Sequence, residues 1–431
     1  MSWIALSAPY LTRLHPVNAG GIPLPVDSSR EVTRMFYAGI DIAKRKHEVS
    51  IIDTEGRALS QSLSFTNDRE GSDRLLALFE RLSISPQELV IGMEATGHYW
   101  LSLYSWLLEK GYDVKVINPI QSDAFRRLSI RKTKNDSKDS LVIAQLMRFG
   151  EYSATRLSEE NIHALKQLSR YRLSLVEECG NCKRRVIALL DQVFPEYETL
   201  FSDTFGTTSK ELLLNCPTPE DMLTISSRKL TTLLTKTSKG RFRDEKANQI
   251  RKTASNSFGV TFSRDAFSFQ IRQLIEQITF LEKQTEELEK KIAALLRKTN
   301  TVITTIPGIG ETIGAAIIGE IGDINRFDTP GKLVAFAGLD AAVHQSGEFS
   351  GTKGGISKRG SPYLRRAIWM AASRAVFCDP ILSKYYQGLK ERGKHHLTAV
   401  SAVARKMCNI IFTILKENRP YEVNPPKPLR N

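Results

Sequence analysis

A heptad pattern between residues 271 and 295 constrains this 431-residue chain more than any other feature. Mostly apolar residues recur at alternating spacings of three and four, in the two series Ile271, Ile278, Thr285, Ile292 and Leu274, Leu281, Leu288, Leu295. This spacing predicts one long helix whose apolar seam must be covered by a second helix. A weaker series from Leu168 to Val193 marks a candidate partner. The pattern alone does not decide whether the two helices pair within one chain or between two.

The pattern changes on both sides of this helical middle. Before it, short Val- and Ile-rich runs alternate with helical periodicity, which predicts a mixed sheet with helices. After it, glycine-rich turns precede further helices. We therefore expect an α/β plus α chain, divided into 1–34 (an extension that is disordered or a start-site artefact), 35–155 (the α/β domain), 156–300 (coiled-coil helices with an insert at 202–262), 301–418 (a helical C-terminal domain) and 419–431 (a disordered tail).

The net charge is +14, with 61 Lys and Arg against 47 Asp and Glu, and it favours a polyanionic partner such as nucleic acid.

The five cysteines are scattered, which excludes a disulfide framework. Cys179 and Cys182 form one CxxC pair without a second, and both fit a helical seam better than a zinc site. The longest weakly polar stretch, 302–322, contains Pro307 and Glu311 and is a poor membrane span. We expect a cytoplasmic protein.

Four carboxylates stand at positions that predict a shared site. Asp41 ends the first strand and Glu94 follows the fourth, while Asp136 and Asp139 share one face at the start of a helix. Neighbouring strand ends converge, and a helix packed across them can add its own carboxylates. Four such oxygen donors suit Mg²⁺, or Mn²⁺, and could support phosphodiester chemistry. Taken singly, each acid could be a solvated surface charge or a helix cap, although this alternative is weaker for Asp41, because an aspartate between apolar strand residues is costly without a partner.

Basic residues crowd the approach to this acidic cluster. They would hold a nucleic-acid backbone beside the carboxylates, although a solvated basic face is the plainer alternative. The set comprises Arg126, Arg127, Arg131, Lys132, Lys134 and Lys138.

Two later segments have the composition of phosphate contacts. Residues 306–310, Ile-Pro-Gly-Ile-Gly, look like the turn of a helix-hairpin-helix, in which the amides of Gly308 and Gly310 would face a phosphate. Residues 338–366 combine glycines and serines with basic residues, which we expect to bind nucleic acid: Lys353, Lys358, Arg359 and Arg365. A serine here could be a nucleophile toward phosphorus if a neighbour takes its proton. The alternative is a phosphate-binding loop with ordinary serines.

Taken together, these motifs resemble the insertion-sequence transposases of the DEDD type, the family numbered one hundred and ten, which includes the Piv-type DNA invertases. The resemblance runs from about Met35 to Lys416. It rests on the order and spacing of the motifs at 39–44 (Gly-Ile-Asp-Ile-Ala-Lys), 93–97 (Met-Glu-Ala-Thr-Gly), 134–139 (Lys-Asn-Asp-Ser-Lys-Asp), 306–310, 346–347 (Ser-Gly), 355–360 (Gly-Ile-Ser-Lys-Arg-Gly) and 364–365 (Leu-Arg).

The resemblance implies a RuvC-like, RNase H-type domain with Asp41, Glu94, Asp136 and Asp139 as its acidic tetrad. It also implies a C-terminal transposase domain whose nucleophilic serine matches Ser346. Family members often carry two serines there, and the Gln at 345 departs from that pattern, so Ser350 and Ser357 are alternatives. The family further implies DNA as substrate, dimers that pair into tetramers, and in several members a guide RNA from their own element.

Two other functions are compatible with the same residues. A metal-dependent nuclease of the Holliday-junction type would use the tetrad with water as nucleophile and would not need Ser346. A non-catalytic nucleic-acid-binding scaffold would need neither the serine nor the acids. A covalent protein–DNA adduct separates the recombinase from both.

Overall fold

The computed structural model describes residues 35–95, 97–126, 136–150, 152, 154–155, 159–341, 345–346, 349–350 and 355–423. The expected extension at 1–34, and residues 424–431 of the expected tail, lie outside this description. By their internal contacts the residues group into two units, which divide between Arg156 and Leu157. Each unit is described by itself.

The first unit contains a six-stranded mixed sheet with the order β3-β2-β1-β4-β5-β6. Its strands are β1 (Phe36–Asp41), β2 (Lys46–Ile52), β3 (Leu63–Thr66), β4 (Leu89–Glu94), β5 (Asp113–Ile117) and β6 (Ala154–Thr155). β1, β4 and β5 are parallel, whereas β2, β3 and β6 join antiparallel to their neighbours. The expected mixed sheet is therefore confirmed, and the carboxyl ends of β1 and β4 lie side by side.

Four helices pack on this sheet: α1 (Arg69–Arg81), α2 (Trp100–Glu109), α3 (Pro119–Arg126) and α4 (Asp136–Phe149). Helix α4 crosses β1 at Gly39, where an added β-carbon would lie 2.0 Å from the Ser140 carbonyl oxygen. Only glycine permits this approach, because any side chain would push the helix off the strand. A hydrogen bond of 2.8 Å between the hydroxyls of Ser50 and Ser140 holds the same crossing.

The second unit is mostly helical, as expected. Its elements are α5 (Glu160–Val193), α6 (Thr207–Asn215), α7 (Pro219–Thr224), α8 (Ser227–Thr237), α9 (Asp244–Ser255), α10 (Arg264–Arg297), α11 (Glu311–Ile321), α12 (Pro330–Phe336), the two-residue strands β7 (Gln345–Ser346) and β8 (Phe349–Ser350), α13 (Pro362–Cys378), α14 (Pro380–Glu391) and α15 (His396–Glu417).

Helices α5 and α10, each of 34 residues, pack side by side within the chain. The buried side chains of α10 include Ile271, Ile278, Leu288 and Ile292 from the heptad series. Ion pairs also join the two helices, with Lys183 Nζ 2.7 Å from a carboxylate oxygen of Glu282. The two helices therefore pair within one chain, which the sequence had left open. That they form a coiled coil stays a prediction.

Helices α6 to α9 form a helical insert between α5 and α10. Its apolar residues share one core with the adjoining parts of α5 and α10, including Leu212, Leu230 and Ile250. The insert begins and ends at one place, because the backbone N–H of Val260 donates to the carbonyl of Gln192 at 2.9 Å. The insert is therefore a side branch of the helical pair, closed at its base.

Helices α11 to α15 build the other core of this unit, together with the remaining parts of α5 and α10. Among the described residues, α15 alone is long and apolar enough to cross a membrane, with a mean hydropathy of 1.3 over its window. Half of that window is buried inside the unit, and the helix packs on α12, α13 and α14. Its apolar composition is therefore explained by the core.

A buried carboxylate ties three of these helices together. Glu320 in α11 is 4% exposed and accepts two hydrogen bonds from the Arg170 guanidinium of α5, at 2.6 and 3.0 Å. The Ser361 hydroxyl, at the start of α13, donates to it at 2.8 Å. Burial beside this pair lowers the pKa of Lys166 below that of an ordinary lysine, although the charge of Glu320 partly offsets the effect.

Candidate functional site

The structure places two of the four expected acids at adjacent strand ends. Asp41 is the last residue of β1, and Glu94 is the last residue of β4. The two strands run parallel with Ile40 opposite Met93, so Asp41 and Glu94 are the next residues along each strand. Because the carboxyl ends of parallel neighbours meet at one edge, the strand geometry itself brings these two carboxylates together.

Helix α4 brings the third acid. Asp139 is only 7% exposed and stands directly before Ser140, the residue whose carbonyl touches Gly39. The close helix–strand crossing therefore determines where the Asp139 carboxylate lies. Asp136 begins the same helix, but its side chain lies outside the described residues.

An arginine stands between two of these carboxylates. Arg126, at the end of α3, has its Nη2 atom 3.9 Å from Oε1 of Glu94 and its Nε atom 3.2 Å from Oδ1 of Asp139. Its Nη1 atom also lies 2.5 Å from Oδ1 of Asp123. The guanidinium thus supplies positive charge to the acidic cluster, in addition to the contact with nucleic acid that the sequence predicted for it.

The donor chemistry of this cluster fits a divalent cation. All of the candidate ligands are carboxylates, and hard oxygen donors are what Mg²⁺ prefers. One cation, the Arg126 guanidinium, already lies between Glu94 and Asp139. Within the described part of the chain, no three acidic, histidine or cysteine side chains stand close enough to hold a metal ion together. The described acids alone therefore do not make up a complete set of metal ligands, and the Asp136 side chain lies outside the described residues.

Most of the basic residues predicted near the acidic cluster lie outside the described residues. Arg127, Arg131, Lys132 and Lys134 belong to the segment 127–135, which is not described. Lys138 lies in the first turns of α4 and is exposed. The predicted nucleic-acid contacts of these residues stay predictions.

The expected nucleophile lies in a short β-ribbon of the second unit. Strands β7 and β8 pair antiparallel, with Ser346 opposite Phe349 and Gln345 opposite Ser350. A backbone bridge between Ala341 and Ile356 closes the base of the ribbon. The side chains of Ser346 and Ser350 lie outside the described residues, as does Lys353.

The alternative serine at 357 has a defined partner. Its hydroxyl donates to the Asp340 carboxylate, and its backbone N–H donates to the Asp340 carbonyl at 2.8 Å. Asp340 and Ser357 stand just outside the Ala341–Ile356 bridge, so they clamp the base of the ribbon that carries Ser346. These contacts with Asp340 explain why residue 357 is a serine.

The remaining residues that were predicted to contact nucleic acid differ in their exposure to solvent. Lys358 and Arg359 are exposed beside the ribbon, whereas Arg365 is half-buried and donates to the carbonyl of Ala337 at 3.2 Å. The Arg365 side chain therefore supports the preceding loop.

Gly308 and Gly310 also differ in their surroundings. Gly308 has a φ of +93°, and a β-carbon there would lie 2.6 Å from the Ala371 carbonyl of α13, so packing alone requires glycine. Gly310 is exposed at the start of α11.

The sequence did not indicate the roles that two residues have at these sites. The first is Arg126 as the cation between the acids, since its basic neighbours suggested only a nucleic-acid contact. The second is Asp340, whose signal was a lone carboxylate at the start of a basic, glycine-rich stretch.

The chain matches two family models. Residues 38–195 match the DEDD_Tnp_IS110 model, described as a transposase, and residues 300–387 match the model of the transposase IS116/IS110/IS902 family. Together the matches span more than half of the chain and leave out residues 196–299.

Named relatives are similar over nearly their whole lengths. The pilin gene-inverting protein of Moraxella bovis is 26% identical over 90% of this chain and 97% of its own. The mini-circle putative transposase for IS117 of Streptomyces coelicolor is 25% identical over 90% of this chain and 95% of its own. A solved structure of T. thermophilus RuvC with a Holliday junction substrate matches 28% of this chain and 99% of its own at 14% identity. Its TM-score of 0.22 is too low to compare the folds.

Proposed function

Because the chain belongs to the IS110 family of DEDD transposases, we propose that this recombination enzyme cuts and rejoins DNA through a serine–DNA intermediate and an Mg²⁺-binding acidic tetrad. The observation that carries the metal part of the proposal is the meeting of Asp41 and Glu94 at adjacent strand ends, with Asp139 brought in by α4. A scaffold that only binds nucleic acid has no need to bury a carboxylate there, because burying an acid costs free energy.

In the proposed reaction the Ser346 hydroxyl attacks the phosphorus of a DNA phosphodiester. The bond from Oγ to phosphorus forms as the bond to one sugar oxygen breaks, and the departing sugar oxygen takes up a proton as the serine loses one. Attack by a sugar hydroxyl of a new strand on the phosphoserine reverses the step, joins the DNA and restores the serine. When bound by Asp41, Glu94, Asp136 and Asp139, Mg²⁺ would supply positive charge beside a phosphate.

The family relationship also supports three further parts of the proposal. An RNA transcribed from the element directs the enzyme to its DNA, and the net charge of +14 is compatible with two nucleic-acid partners. The protein assembles as dimers that pair into tetramers. Its place is the bacterial cytoplasm, where its DNA lies.

The test is a cleavage assay with the DNA ends of the element, its flanking transcribed RNA and Mg²⁺, analysed on denaturing gels before and after protease. We expect a protease-sensitive protein–DNA adduct that is absent with Ser346→Ala and with Asp41→Asn, and that depends on the RNA. Cleavage by Ser346→Ala without any adduct would instead identify a nuclease that uses water. Equal product from both variants and the parent would point to a scaffold bound to a contaminating nuclease.

A further inference from the structure

A row of cations lies on helix α8 of the insert, in the part of the chain that neither family model matches. Arg228, Lys229 and Lys236 line a groove of about 700 Å³ between α8 and α6. One carboxylate, that of Glu211 on α6, shares the groove. The row continues past the helix, since residues 226–243 contain six Lys and Arg and no acid.

These cations differ from several others of the helical unit in having no carboxylate partner. Arg172, Lys183 and Lys210 each lie within 4 Å of a glutamate carboxylate. Within the described chain, no carboxylate lies that close to Arg228, Lys229 or Lys236. All three are exposed, so their charge is directed to solvent and to whatever binds there.

Helix stability does not explain the position of two of these charges. Ser226 caps α8, with its side chain accepting from the backbone N–H of Lys229, so Arg228 and Lys229 occupy the first turn. The amino end of a helix is the positive end of its dipole, and cations there cost about 0.3–1 kcal/mol each. The first turn of α8 contains no acid to offset them. A bound anion would offset their charge.

The spacing of the cations indicates the size of that anion. Residues 228 and 236 are eight apart, which is about 12 Å along a helix axis at a rise of about 1.5 Å per residue. A single phosphate cannot contact both ends of such a row, whereas a phosphodiester backbone can. Two groove hydroxyls already donate inward, from Thr232 to the Arg228 carbonyl and from Thr237 to the Leu233 carbonyl, each at 2.8 Å. Contact through charge rather than hydroxyl donors is independent of base sequence.

We infer that α8 presents a docking surface for the phosphodiester backbone of nucleic acid, held by Arg228, Lys229 and Lys236. The inference rests on the proposed function only in taking nucleic acid as the natural polyanion of this protein. We take the occupant to be DNA, because the matching family models and relatives are named as transposases and a gene-inverting protein, which act on DNA. The surface adds affinity and does not take part in strand cleavage.

The test compares two triple variants with equal loss of charge. One is Arg228→Gln, Lys229→Gln and Lys236→Gln. The control is Arg57→Gln, Lys290→Gln and Lys332→Gln, at exposed cations that each have a carboxylate partner. Binding of a fluorescent 30-base-pair DNA duplex, and of an RNA hairpin with the same number of phosphates, is measured by anisotropy across a salt series with full-length protein.

The α8 variant should bind the DNA duplex about 10-fold more weakly, and the slope of log affinity against log salt for DNA should fall by about two to three. Its melting temperature should stay the same or rise, because charges opposed to the helix dipole are gone. The control should bind within about twofold of the parent. A loss confined to the RNA hairpin would overturn DNA as the occupant of this surface.

Binding by the α8 variant equal to that of the parent, or an equal loss in the control, would overturn the inference. The binding assay needs no cleavage, so it can fail while the serine adduct still forms. Conversely, the adduct can be absent while the α8 variant still loses binding. The two proposals therefore succeed or fail separately.

Discussion

The Nε atom of Arg126 lies 3.2 Å from Oδ1 of Asp139, yet within the described chain this buried nitrogen makes no hydrogen bond. The guanidinium makes its hydrogen bond through Nη1 to Asp123 instead, so charge alone joins it to Asp139 and Glu94, without the directed bonds that make an arginine–carboxylate pair specific. Such a cation can be replaced by another. We therefore interpret Arg126 as a competitor for the divalent metal at this cluster.

Replacing Arg126 should strengthen metal binding. In Arg126→Gln the carboxylates lose a neighbouring positive charge, so Mn²⁺ should bind about 10-fold more tightly, the equivalent of about 1.4 kcal/mol. Isothermal titration with Mn²⁺ measures this without any DNA. Arg148→Gln removes the same charge from α4 at a position bonded to the Thr54 carbonyl, and should change little. If Arg126→Gln instead weakens Mn²⁺ binding as Glu94→Gln does, Arg126 organises the site and does not compete for it.

Gly39→Ala should separate α4 from the sheet. The new β-carbon would lie 2.0 Å from the Ser140 carbonyl oxygen and 2.3 Å from the Ala144 nitrogen, both backbone atoms. We expect the first unit to lose about 3 kcal/mol of unfolding free energy, together with Mn²⁺ binding. Gly388→Ala is the control, since its β-carbon meets nothing within 4 Å and should gain up to about 1 kcal/mol. Urea unfolding of the two variants makes the comparison, and a harmless Gly39→Ala would mean that α4 does not approach β1 as described.

The two candidate serines should behave differently. Ser357→Ala removes the clamp to Asp340 at the base of the ribbon, so adduct formation should slow by about 5-fold but persist, since one lost hydrogen bond is worth about 1 kcal/mol. Ser346→Ala should remove the adduct altogether. Protease-sensitive adduct is quantified over time for both. The reverse result, with adduct in Ser346→Ala and none in Ser357→Ala, would move the nucleophile to Ser357 and make Asp340 its proton acceptor.

Arg170→Met should destabilise the second unit. It leaves the Glu320 carboxylate, 3% exposed at its side chain, without its guanidinium, and an unpaired buried charge costs about 3 kcal/mol or more. Arg366→Met breaks the pair with the exposed carboxylate of Glu177 and should cost at most about 1 kcal/mol. Denaturant midpoints compare the two variants. Equal small losses would show that Glu320 takes up a proton or finds another partner, such as Lys166.

Acid should weaken the first unit through His47. This ring is buried, and burial lowers its pKa below the usual 6.5, although a hydrogen bond with Asn67 offsets part of the effect. Its Nδ1 also accepts from the Ala43 N–H at 3.3 Å, which protonation would break. Because the unfolded chain then binds the proton more tightly, this stability is complete above pH 6.5 and is lost as the pH falls below that value.

The pH effect is measurable by urea unfolding at pH 7.5 and 5.5. The parent should lose about 1 kcal/mol between these values, and His47→Gln should lose less. His98→Gln, at an exposed histidine, should keep the slope of the parent. An unchanged slope in His47→Gln would show that other groups set the acid sensitivity.

The parts of the site that follow from local pattern could be predicted. Asp41 and Glu94 end apolar runs, and strand ends of a parallel pair must meet, so their meeting needed no knowledge of the packing. The position of Arg126 depends on how α3 returns toward the sheet, and no local periodicity encodes that return. The Asp340–Ser357 clamp likewise joins residues separated by a glycine-rich ribbon whose path depends on turn geometry.

The same division holds for the helical unit. The seam of α10 was visible because it repeats over many turns. The weaker series from Leu168 to Val193 indicated α5 as its partner, but an apolar seam is satisfied equally by a helix of the same chain or of another, so pairing within one chain could not be predicted. The helices α6 to α9 are short, and their Ser-, Thr- and Lys-rich surfaces leave too few apolar residues for a clear period.

The hydrogen bond between Val260 and Gln192 bears on how this chain acquired its length. Since the segment from α6 to α9 leaves and rejoins the helical pair at one point, a single in-frame insertion or deletion there changes the chain by a whole module and leaves the flanking path of the backbone continuous. The two family models match the chain on either side of this module and not within it. If the module binds a phosphodiester backbone as we propose, its surface can change in sequence while Asp41, Glu94 and Asp139 stay as they are.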